Sequence, residues 1–202
     1  WLDLLAVQVN RVPGTTLRKQ LSDMRRGNDN VPDVLSTIWD RLADREKTLL
    51  RLMAEAVRPE TEQTIEKFST PQLGYNKFNR AFKSLKALNL IVVKQTANAP
   101  DLFDLHPLVR QFVRTSFSPT QRAGFIKVVL NHYQTIIGSF SALLGIHMPF
   151  AMLGRWSQKV ELEVSAGLYD QAFETLSDAE DALIGGGHSQ EYVRVTRLLF
   201  EA

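Results

Sequence analysis

Between Asn76 and Leu105 the spacing of apolar residues switches from the period of a helix to that of strands, and no other stretch limits the fold so closely. In "NKFNRAFKSLKAL", counting about 100° per residue, Phe78, Ala81, Phe82, Leu85 and Leu88 fall within one arc of about 120°. Lys77, Arg80, Lys83 and Lys86 occupy the other side. The β-branched run "IVVKQT" and the short "LFDL", either side of a polar "ANAP", predict two strands of a β-hairpin. A helix then opens at His106-Pro107 and runs to Phe117. Upstream, Val34, Leu35, Ile38, Trp39 and Leu42 keep helical spacing behind Pro32, a residue suited to a first helical turn. Asp44 can cap the next helix, striped by Leu49, Leu50, Leu52 and Met53, which Pro59 ends. A short helix through Ile65 and Phe68 follows, and "STPQLGYN" reads as a turn. Residues 44–117 thus predict helix, helix, helix, strand, strand, helix, the order of a winged helix, in a mainly α chain.

The flanking segments are helical. "WLDLLAVQVNRV" predicts a short helix closed by Pro13-Gly14, and Thr16 caps "LRKQLSDMRR", which ends at Gly27. Ser118-Pro119 repeats the cap-plus-proline start, and a long helix runs from there to about Leu144. "GIHMP" breaks it; two helices around "AGLYD", the loop "GGGHS" and a further helix complete the chain. The sequence opens inside an apolar run and closes on "RVTRLLFEA", both mid-helix patterns, as expected of a segment of a longer protein.

Composition excludes several classes of function. The 202 residues contain no cysteine, which rules out a disulfide framework and a thiolate zinc site and fits a reducing, cytoplasmic setting. The net charge of +2 is too small to name a partner, so local clustering must do so. No apolar run of about 18 residues suggests a membrane partner. There is no G-x-x-x-x-G-K-[ST] to cradle a nucleotide; "GGGHS" at 185–189 is a loop between helices. No Ser-His-Asp grouping sits at a plausible elbow, and His132, His147 and His188 lack close ligand partners. Neither catalysis nor metal binding is expected of this chain.

A helical segment, the leucine-rich "REKTLLRLMAEAV", a winged-helix order running into "LHPLVRQFVR", and a repeat-like tail occur here in succession. This order resembles the region downstream of the P-loop domain in signal-transduction NTPases with numerous domains, the STAND class of NB-ARC type. "LHPLVR" is similar to the place of that family's Met-His-Asp signature, with Leu105 and Pro107 where Met and Asp would stand. The stretch "AGLYDQAFETLSDAEDAL" resembles a tetratricopeptide repeat (TPR): with Trp156 as its fourth position, Gly167, Tyr169, Ala172 and Ala179 take the small and aromatic places. Lys159, Val160 and Glu163 depart from its usual Leu, Gly and Tyr.

The resemblance implies four parts: residues 1–31 as the end of a small helical (ARC-type) domain, 32–117 as the winged helix, 118–146 as a connecting long helix, and 147–202 as the start of TPR-like repeats. It implies ADP or ATP, with Mg²⁺, held by a P-loop domain upstream in the parent protein and no nucleotide held by this chain alone. His106 would contact the β-phosphate of ADP, and Arg110 would share that field. A protein or peptide would bind the repeats, and the parent would oligomerise on activation.

The residues support part of this independently. Placed before Pro107, His106 is the expected helix cap, where free N–H groups and the helix dipole favour an anion. Arg110 and Arg114, at spacings of four, can share a face with it. The competing reading is a DNA-binding regulator. From Phe68 to Pro100 there is no acidic residue, while Lys77, Arg80, Lys83, Lys86 and Lys94 are cationic. In a DNA-binding winged helix the 76–88 element would enter the major groove, with Asn76 or Asn79 at base edges. Otherwise the same cations form a domain-contact face.

Overall fold

The computed structural model describes residues 31–95 and 100–202. The helices expected before residue 31, and the hairpin tip at 96–99, lie outside the described residues. The chain divides into two compact units: residues up to 54 with 59–118, and residues 55–58 with 119–202.

In the first unit, α1 (Val31–Arg41) and α2 (Asp44–Glu55) bury Leu35, Ile38, Leu49, Leu50, Leu52 and Met53. Glu46 reaches back to accept from the Ala43 N–H at 2.8 Å, satisfying a donor the first turn of α2 would leave open. Strand β1 (Glu60–Thr61) is two residues long, and its Thr61 hydroxyl caps α3 (Glu62–Leu73), accepting from Thr64 N–H at 3.2 Å. The expected turn at "STPQLGYN" is corrected: α3 continues through Pro71 to Leu73. Phe68 and Leu73, either side of Pro71, are both buried, and that burial outweighs the hydrogen bond the proline cannot make. Only Gly74, at φ 70°, turns the chain.

Helix α4 (Tyr75–Ala87) buries Phe78, Ala81, Phe82 and Leu85, the apolar arc read from the sequence. It ends in a Schellman turn. Asn89 takes a left-handed φ of 54°, its N–H bonds Lys86 O at 2.9 Å, and Leu90 N–H bonds Leu85 O at 3.1 Å. Leu85 and Leu90 are both buried, as that motif's hydrophobic contact requires. The turn launches β2 (Ile91–Lys94), which pairs antiparallel with β3 (Leu102–Leu105), Ile91 opposite Leu105 and Val93 opposite Phe103. The expected two-stranded ribbon is in fact a three-stranded antiparallel sheet of order β1-β3-β2, because Glu60–Thr61 pairs with the other edge of β3. Phe103 meets Phe82 edge-on at 5.0 Å, joining sheet to helix. Helix α5 (Pro107–Ser116) follows. Trp39 of α1 packs against Phe112 and Phe117, and the Arg51 guanidinium lies 4.3 Å from the Phe117 ring.

The second unit is helical. Helix α6 (Pro119–Phe140) ends in a 3₁₀ turn (Ser141–Leu143), and α7 (Phe150–Ser165), α8 (Tyr169–Gly185) and α9 (Ser189–Phe200) pack on one another. Their core holds Leu153, Trp156, Val160, Leu176, Leu183 and Val195. Ala172 and Ala179, at small-residue places, are fully buried, while Tyr169 is exposed. The described residues are therefore mainly helical with one small sheet.

Candidate functional site

His106 sits where the sequence placed it, as the cap of α5. Its backbone N–H bonds Leu90 O at 3.0 Å, which fixes it beside the start of β2, and its Nδ1 accepts from Leu108 N–H at 3.3 Å. An accepting Nδ1 carries no proton, so the neutral ring holds its hydrogen on Nε2. Protonating both nitrogens would break the cap. Donation to any external anion therefore falls to Nε2–H.

Arg110 and Arg114 do share a face, as their spacing requires, but what that face meets was not legible in sequence. Arg110 Nη1 donates to Ala54 O at 3.0 Å and Arg114 Nε to the same carbonyl at 2.8 Å. Two cations thus serve the last turn of α2, where open carbonyls and the negative dipole end favour them. Arg110 also pairs with Asp104 on β3, and Lys94 on β2 meets the second carboxylate oxygen of Asp104 at 3.0 Å. Burial pushes the Asp104 carboxyl up, but Arg110 and Lys94 together outweigh it and hold it below its ordinary value. Asp104 is the residue that sequence reasoning missed. The alternation of "LFDL" signalled that it and Leu102 share a sheet face, but not what crosses that face.

On α4 all of Lys77, Arg80, Lys83 and Lys86 are exposed. Among the described residues none of them pairs with a carboxylate; Lys86 instead places its ammonium 4.9 Å from the Phe103 ring. Lys94, counted with them in the sequence, is separated from the set by its bridge to Asp104. Near the start of α4 an open groove of about 690 Å³ lies between Arg45 and Thr48 of α2 and Asn76, Lys77 and Arg80 of α4, with Asp44 on its wall.

The second unit has its own groove, about 710 Å³, between α6 and the α7–α8 turn. Glu163 on its wall is 1% exposed; one carboxylate oxygen takes the Lys159 ammonium at 2.7 Å and the other has no donor among the described residues. Among the described residues no cluster of three or more His, Asp or Glu could hold a metal ion, and no helix is long and apolar enough to cross a membrane.

No family model matches the chain, and no curated protein and no solved structure matches it either.

Proposed function

We propose that this chain is the regulatory segment of a nucleotide-switched STAND-type signalling protein, a winged helix followed by the first TPR-like hairpins. The observation that carries the reading is the succession of elements. The order helix, strand, helix, helix, strand, strand, helix, with sheet order β1-β3-β2, is what a winged helix would give, and the packed helical hairpins that follow, with alanines buried where a TPR-like repeat would take small residues, support the same reading. In this reading His106 faces the β-phosphate of ADP held by the P-loop domain of the parent protein, with Nε2–H as donor while Nδ1 keeps the cap. Arg110 sets the position of that cap through Asp104 and the Ala54 carbonyl and adds positive charge nearby. The closed state is favoured while ADP is bound. A protein or peptide captured by the repeats, followed by nucleotide exchange, releases the winged helix as a rigid body.

The test is nucleotide retention by the parent protein bearing His106→Asn. Asparagine is a good cap but lacks the Nε2 donor. Losing one hydrogen bond to a charged group costs about 1.5–3 kcal/mol, or roughly a 10- to 150-fold shift toward the open state. Faster ADP release and signalling without ligand are expected. Wild-type ADP retention in His106→Asn would end the phosphate reading.

A further inference from the structure

We infer that the exposed half of α4 docks in the major groove of B-form duplex DNA. The inference does not rest on the nucleotide-switch reading: it follows from where the charges sit around one helix. Each step of three residues along an α-helix turns back by about 60°, so Lys77, Arg80, Lys83 and Lys86 wind across about 180° of the surface. The apolar arc of Phe78 to Leu85 faces the core, so Lys77 and Lys86 mark the two opposite flanks of the exposed half. Asn76, Arg80 and Lys83 lie along the crest between them. A flat acidic protein surface would meet the crest or one flank and leave the other cation in water. A helix seated between two phosphate strands meets anions on both flanks and base edges at its crest, and the major groove, about 12 Å wide, admits a helix. The chemistry of the crest fits that seat, since Asn pairs with adenine and Arg with guanine through two hydrogen bonds each.

Three further observations agree. The four cations have no carboxylate among the described residues to neutralise them, so their charge is available to phosphate. Arg45, exposed on the wall of the groove at the start of α4 next to Asp44, adds one cation past the end of the helix. The short turn at Gly74 and the Schellman turn at Asn89 hold both ends of α4, so the face is presented on a rigid element. Duplex RNA is the wrong shape, because its major groove is too narrow and deep for side chains to read.

The experiment is fluorescence anisotropy of the whole 202-residue chain with a labelled mixed-sequence duplex DNA of about 30 base pairs. About four phosphate contacts predict a log–log salt slope near −3.6, roughly a 150-fold loss of affinity between 50 and 200 mM salt. Lys77→Ala and Lys86→Ala, one on each flank, should each reduce that slope by about one, and Lys83→Glu/Lys86→Glu should abolish binding. All of these positions are exposed, and an unchanged circular dichroism spectrum confirms that folding is intact. Three results would overturn the inference. One is no binding at 50 mM salt. Another is a slope that changes for Lys77→Ala but not for Lys86→Ala, which is the behaviour of a one-sided protein contact. The third is equal affinity for duplex RNA of the same length.

Discussion

Arg122 grips both carboxylate oxygens of Glu55, Nε at 2.8 Å and Nη2 at 2.6 Å, with the Glu55 side chain only 1% exposed. The pair belongs to the second unit although the two residues are 67 positions apart. The glutamate's hydrogen bond raises the Arg122 guanidinium further above its ordinary value, although burial works against it.

Removing one partner from so buried a pair leaves a bare charge. Arg122→Met should lower the unfolding free energy by about 3–5 kcal/mol in urea. Glu55→Gln/Arg122→Met should recover a large part of that loss, because no unpaired carboxylate remains. A single mutant no less stable than wild type would show that Glu55 finds another partner.

Stability should also depend on pH through Glu191. It shares Arg58, at 2.7 Å, and Arg194, at 2.8 Å, with Glu161 across α7 and α9. The Arg194 hydrogen bond, opposed by burial and helped by Arg58, lowers the Glu191 carboxyl from 4.5 to about 2. A carboxyl depressed in the folded state contributes stability above its unfolded value and loses it as pH falls through its folded one. The contribution is at most about 3 kcal/mol at neutral pH, and solvent screening at the half-exposed Arg194 reduces it. Urea unfolding should be flat from pH 7 to about 5 and weaken toward pH 2. Glu191→Gln should be less stable at pH 7, with the gap closing near the bottom of that range. A gap that stays constant with pH would exclude Glu191 as the titrating group.

His106→Ala removes the Nδ1 cap and should cost the chain about 1 kcal/mol, seen as a lower melting temperature. His106→Asn should restore it. Comparing the two isolates the cap, because the phosphate contact proposed for His106 needs Nε2 and neither variant has it.

Glycines give opposite expectations in two places. Gly187 has φ 81°, so Gly187→Ala should destabilise by about 1–2 kcal/mol. Gly138 lies inside α6 with open space where a Cβ would project. Gly138→Ala should stabilise by up to about 1 kcal/mol. Thermal melts of the two variants should move in opposite directions.

Much of the first unit was legible locally. The arc from Phe78 to Leu85 fixed both the existence of α4 and its buried face, and the β-branched run after Leu90 fixed β2. The cap at His106 followed from its place before Pro107. Less local features escaped. Pro71 reads as a turn, yet α3 runs through it because Phe68 before it and Leu73 after it are both buried. Strand β1 has no sequence signal in two residues, "ET", and exists because β3 offers an unpaired edge.

Local pattern was enough to place most of the helices and the hairpin and to mark the apolar face of each, since period and caps are properties of neighbouring residues. What the charged residues meet depends on the packing of elements distant in the chain. Arg110 and Arg114 share a helix face in any helical reading, but that this face meets the Ala54 carbonyl and Asp104 depends on elements brought together from 56 residues away. The same holds for Arg122 and Glu55, and for Lys77, Arg80, Lys83 and Lys86, which meet no carboxylate among the described residues. Helical period is set by bonds four residues long. Ion pairs are set by proximity in space, and a linear pattern carries no record of that.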